Sequence, residues 1–78
     1  MSKDPIAAAV RVLITDRGFL QKAVAKKAGY STQQFSDMLN GRKTIKATDV
    51  IPISKALGVS IQEIYDTGAA FLPEEKTQ

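Results

Sequence analysis

The sequence predicts an all-α fold, a compact bundle of five short helices. Three observations lead there. Apolar residues recur at helical spacing in several short windows, no window alternates apolar and polar residues as a half-buried strand does, and the windows end at helix-stopping glycines, Gly18, Gly29, Gly41 and Gly58.

The first helix opens at Asp4-Pro5, an N-cap followed by a proline whose missing N–H is no loss at the first helical position. Ile6, Val10, Leu13 and Ile14 follow at helical spacing, and Gly18 ends the element. A second helix is expected over Gln21 to Ala28, with Val24 and Ala28 facing inward and Gly29 as the left-handed residue after it. The third, over 32–39, has the clearest start. Ser31 and Gln34 form a capping box, Tyr30 and Phe35 occupy the staple positions around it, and Phe35, Met38 and Leu39 make an apolar stripe. The fourth runs to Leu57. Pro52 constrains its start, because a proline is tolerated only near a helix N-terminus; with Asp49 as N-cap the helix begins at about Val50. Ser60 and Glu63 make a second capping box, with Val59 and Ile64 as staple, for a fifth helix from Ile61 to about Asp66. The chain thus divides into a helical domain over 1–66 and a tail over 67–78.

Composition narrows the chemistry. At 78 residues the chain is one domain with a small core, a size at which dimerisation helps. It has no cysteine and no histidine, which removes disulfides, thiolate or imidazole metal ligands and histidine acid–base catalysis. No nucleophile–base pair or metal cluster can be assembled from what remains, so no catalytic residue, metal or cofactor is expected, and no small-molecule ligand is evident. The apolar run Ile6 to Ile14 is too short to span a bilayer, and Arg11 interrupts it as a signal segment, so a soluble cytoplasmic protein is expected. Charge is unevenly spread: residues 1–58 carry ten Lys or Arg against four Asp, whereas 59–78 carry one Lys against four acidic residues. A basic body suits a polyanion, although a charged helical surface is also simply a solvated one.

The segment from Phe19 to Arg42 is the most informative. Two short helices broken at Gly29, the second opening on Ser31-Thr32-Gln33-Gln34, are the parts of a helix-turn-helix that reads DNA, with the motif at 20–40. Gln33 is the leading candidate for base readout, because an amide donates and accepts at once and so matches adenine in the major groove. Thr32 suits a thymine methyl or a phosphate. Gln34 divides between readout and its capping role. Asp37, one turn along, can accept from cytosine, orient Gln33, or weaken non-specific binding. Arg42 and Lys43 follow a helix end beside the expected phosphates, with Lys46 added to them, and binding should therefore weaken steeply with salt. Lys22 is within reach of backbone, while Lys26 and Lys27 read as solubility charges. Tyr30 and Phe35 read as core packing rather than base stacking.

These residues together resemble the phage repressor and Cro type (XRE-like) of helix-turn-helix protein. The resemblance covers roughly residues 6–66 and rests on Gln21, Ala25, Gly29, Ser31 and Phe35, then Asn40-Gly41-Arg42-Lys43, then Lys55-Ala56-Leu57-Gly58-Val59-Ser60. It implies a lambda repressor-like domain whose third helix enters the major groove with Thr32, Gln33, Gln34 and Asp37, while Gln21, Ser31, Asn40, Arg42, Lys43 and Lys46 meet phosphates. It implies a bacterial or phage-encoded regulator, a repressor, acting as a homodimer on a near-palindromic duplex. Tyr65, Phe71 and Leu72 are the candidate dimer contacts. Three positions depart from the family pattern: Leu20 where a Thr cap is common, Asp37 where Arg or Gln is frequent, and Pro52 in the fourth helix. The competing expectation is an adaptor, antitoxin-like or polymerase-binding, that keeps the fold but presents Asp37 and the apolar Leu39 to a partner protein.

Overall fold

Five α-helices make up the computed structural model, which describes residues 4–71: α1 (Pro5–Asp16), α2 (Gln21–Ala28), α3 (Thr32–Leu39), α4 (Ala47–Leu57) and α5 (Ile61–Ala69). No strand occurs among the described residues. The expected all-α class and the helix count both hold.

Local chemistry sets most of the boundaries. The Asp4 carboxylate accepts from the Ile6 and Ala7 amides at 2.9 and 3.4 Å and so opens α1 in front of Pro5. Helix α2 ends at Gly29, whose φ of 91° carries the chain into the turn; there the Tyr30 amide donates back to the Ala25 carbonyl at 2.9 Å. That left-handed conformation costs glycine little and other residues about 1 kcal/mol. The Ser31–Gln34 capping box forms in both directions, each bond 3.0 Å long.

Four expectations are corrected. Helix α4 begins at Ala47, not near Val50, and Asp49 is its third residue rather than its N-cap. The Asp49 Oδ2 atom reaches back to accept from the Lys46 amide at 2.9 Å, which caps the helix one turn earlier. Pro52 therefore lies inside the helix and withholds a bond from the Thr48 carbonyl. Thr48 is exposed, so water can serve that carbonyl, and the enclosed Val50, Ile53 and Leu57 hold the element together. The second capping box is only half made. Ser60 Oγ accepts from the Glu63 amide at 3.0 Å, but the Glu63 carboxylate turns instead to Arg17 Nη2, 2.9 Å away. Helix α5 continues past Asp66 to Ala69, because Gly68 lets α5 lie against the start of α1. On α2 the inward partner of Val24 is Ala25, with Ala28 only half-buried.

Helix α1 packs on α5 and α3, and α2 on α4 and α3. The core takes at least one large side chain from every helix: Val10, Val24, Phe35, Met38, Ile53, Leu57 and Ile64 are all enclosed. Ser54 is a buried polar residue, and its hydroxyl donates to the Ile51 carbonyl at 2.8 Å. No buried side-chain nitrogen or oxygen among the described residues lacks a partner.

One polar link joins the turn before α3 to the start of α4. The Tyr30 hydroxyl donates to Asp49 Oδ1 at 2.5 Å, while the Tyr30 ring stacks on Phe35 with centroids 6.2 Å apart and planes 12° from parallel. Burial of the phenol, its bond to Asp49 and the charge of that carboxylate together push its pKa up to about 12. Asp49 moves down: the Tyr30 bond lowers it most, with the Lys46 amide and the charges of Lys43 and Lys46 adding to this against partial burial.

The signs of these shifts give a pH profile. Asp49, lowered, stabilises the fold above the ordinary carboxylate range, and that share is lost as pH falls below about 4. Tyr30, raised, contributes fully below pH 10 and loses its share as pH climbs to about 12. Replacing Tyr30 by Phe should cost about 1.5 kcal/mol near pH 7, a typical value for a hydrogen bond to a charged group. Urea unfolding of both proteins across pH should show that difference flat from about pH 5 to 9 and shrinking at both ends. A difference independent of pH would mean the hydroxyl contributes nothing through Asp49.

Gly68 gives a second test. A Cβ built there stands 3.1 Å from the Pro5 carbonyl oxygen and 3.6 Å from Ala9 Cβ. Gly68→Val adds two methyl groups to that contact and should destabilise by about 1–3 kcal/mol. Thermal melts should then fall by roughly 4–8 °C per kcal/mol, and an unchanged melting temperature would show that α1 and α5 separate freely.

Candidate nucleic-acid interface

Helix α3 buries one side and exposes the other. Phe35, Met38 and Leu39 are enclosed, whereas Thr32, Gln33 and Gln34 are exposed at its first turn and Asp37 is partly exposed. The helix is held by its buried stripe, so its polar front stands outward on a fixed base.

The exposed groups are partly committed to one another. Gln34 Oε1 accepts from the Ser31 amide in the capping box, which ties this side chain back to the helix start and leaves its amide hydrogens free. Ser31 Oγ accepts from the Gln34 amide and retains its own proton to donate. Gln33 Nε2 donates to Asp37 Oδ1 at 3.0 Å, the contact that the expected orienting use of Asp37 requires. Arg42 Nη1 lies 3.8 Å from the same oxygen with its side chain 74% exposed, a loose pair that leaves the guanidinium available.

The turn after α3 gathers the cations. The Asp37 carbonyl accepts from the Arg42 and Lys43 amides at 2.8 and 3.2 Å, which folds this turn back onto the helix end. Asn40 caps α3 and donates from Nδ2 to Ser36 Oγ at 3.2 Å. Arg42, Lys43 and Lys46 are all exposed, with Lys46 at the α4 N-cap. Gln21 is exposed as the first residue of α2, and Leu20 before it makes no side-chain cap, as its type requires. Lys26, expected as a solubility charge, lines one shallow groove with Lys22, Tyr30, Ser31 and Thr32. The i, i+4 spacing of Lys22 and Lys26 held that signal, but only the fold of α3 against α2 brings them to the same groove.

Tyr65 and Phe71, two of the expected dimer contacts, are 42% and 47% exposed. Ile61, one turn before Tyr65 and 38% exposed, extends that face and was not singled out in the sequence; the i, i+4 spacing alone carried the hint. Leu72 lies outside the described residues. Leu39, the residue on which an adaptor surface would depend, is only 4% exposed and belongs to the core.

No described helix is long and apolar enough to cross a membrane, and no group of acidic residues is placed to hold a metal ion among the described residues. Comparison with known proteins adds two positive findings. A helix-turn-helix family model matches residues 10–64, a stretch that contains α2, α3 and α4 whole. The crystal structure of the clp gene regulator ClgR from C. glutamicum is similar in fold, with a TM-score of 0.86 over 94% of this chain and 95% of that one at 22% sequence identity. No curated protein sequence matches the chain. A family match over most of the chain, centred on the two helices whose outer face is described above, shows that it belongs to the helix-turn-helix family of DNA-binding transcriptional regulators, which are not enzymes.

Proposed function

We propose that the chain is a sequence-specific regulator of double-stranded DNA, a repressor, that inserts α3 into the major groove and works in the cytoplasm as a homodimer. The observation that carries this is the exposed front of α3, with Gln33 held in one orientation and Arg42, Lys43 and Lys46 clustered beside it. Thr32 and Gln33 are assigned to base edges, with Gln34 partly committed to its capping role and Asp37 on the same surface. Gln21, Ser31, Asn40, Arg42, Lys43 and Lys46 are assigned to phosphates, joined by Lys22 and Lys26 along the groove beside Thr32.

One such helix reads too short a site to discriminate within a genome, which favours two copies on a near-palindromic operator about 34 Å apart along the duplex. Ile61, Tyr65 and Phe71 supply the exposed apolar groups for pairing, with Leu72 as a further contact. The adaptor reading loses support, because its apolar anchor Leu39 is enclosed.

Selection of bound duplexes from a random pool, followed by fluorescence titration at several salt concentrations, tests this reading. A symmetric consensus is expected, with affinity falling steeply as salt rises. Gln33→Ala should cost about 1–3 kcal/mol at one base of each half-site and little on unrelated sequences. Lys43→Ala should weaken binding to every sequence alike and reduce the salt slope by about one. Tyr65→Asp should shift sedimentation toward the monomer and weaken operator binding more than half-site binding. No sequence preference and no salt dependence in the unaltered protein would sink the regulator reading.

A further inference from the structure

We propose that Asp37 is a specificity-determining residue of this interface: it fixes the order in which Gln33 offers its donor and acceptor, so that α3 accepts adenine and refuses guanine. The inference rests on the reading above that Gln33 faces a base.

An ionised carboxylate can only accept, so the group of Gln33 that lies 3.0 Å from Asp37 Oδ1 must be the amide nitrogen. Its Oε1 atom is thereby turned away from Asp37, and one amide hydrogen stays free. Adenine presents N7 as acceptor and N6 as donor in the major groove, which the remaining hydrogen and Oε1 satisfy together. Guanine presents two acceptors, N7 and O6, and a fixed Oε1 would face O6 with no proton between them. An unrestrained glutamine escapes this conflict by turning both Nε2 hydrogens to N7 and O6, a pose closed to it while Asp37 Oδ1 holds one of them. The discrimination therefore lies in the restraint as much as in Gln33.

The acceptor and the charge of Asp37 act separately. Its carbonyl, not its side chain, holds the Arg42 and Lys43 amides, so the turn survives a side-chain change. Its side chain is 31% exposed beside Arg42 and stands among the residues assigned to phosphates, where a negative charge opposes any duplex. Asparagine loses the charge and adds a donor that can meet Gln33 Oε1 instead, so it no longer fixes the order. Alanine loses both acceptor and charge.

The test uses the full chain and a duplex with the selected consensus, changing adenine to guanine at the base that Gln33→Ala ceases to sense. The unaltered protein should prefer adenine about tenfold or more. Asp37→Ala should bring that ratio to within about twofold while binding unrelated duplex more tightly, and Asp37→Leu, similar in shape without an acceptor, should do the same. Asp37→Asn, whose amide can hold Gln33 in either order, should also narrow the adenine preference while gaining on unrelated duplex. A role in stability alone would leave the adenine-to-guanine ratio unmoved. An unchanged ratio in both Asp37→Ala and Asp37→Leu overturns the proposal while leaving Gln33 as a reader. If Gln33→Ala alters no base preference, the underlying assignment of Gln33 fails and the proposal with it. A loss of preference at a neighbouring cytosine instead would make Asp37 a direct reader and also overturn it.

Discussion

The interface depends on the burial of one side of a helix too short to stand alone. Helix α3 has eight residues, below the ~12 at which isolated helices become even marginal in water. Phe35, Met38 and Leu39 hold it from below, and Ser31 with Gln34 closes its first turn. Because those three side chains occupy the inner stripe, the helical period leaves Thr32 and Gln33 nowhere to point but outward. The polar front is a consequence of the apolar back, and a slip of the helix about its axis would remove both.

Asp49 extends that constraint to the cations. One carboxylate oxygen takes the Tyr30 hydroxyl just before α3, and the other takes the Lys46 amide at the start of α4. The segment between, which carries Arg42, Lys43 and Lys46, is thus anchored at its far end to the same turn that launches the recognition helix. Both carboxylate oxygens are in use, so the link fixes geometry as well as stability. It also explains why α4 begins a turn earlier than Pro52 would suggest.

Much of this was legible in the residues. The glycine stops, the Asp4-Pro5 start and the Ser31–Gln34 box are local chemistry, and they placed α1, α2 and α3 directly. What was not legible depended on distant partners. Asp49 reads as an N-cap until Tyr30 is brought beside it, and Glu63 reads as the second half of a capping box until Arg17 arrives from the end of α1. Gly68 falls within the expected tail, yet it is a point of close approach between two helices. At the interface, residue types indicated which side chains have the right chemistry, but not how they engage each other. The Gln33–Asp37 bond and the commitment of Gln34 Oε1 come from rotamers that the sequence does not specify.

The contact of Gly68 with Pro5 and Ala9 joins the first helix to the last across almost the whole length of the chain. Until α5 has emerged during synthesis, α1 lacks the neighbour that Gly68 brings against Pro5 and Ala9. Final closure is thus a distant ring-closing event in an otherwise locally folded protein, and it is expected to set the pace of folding. A ribosome-bound chain lacking that last helix should accordingly hold a loosened first helix beside an already shaped reading head.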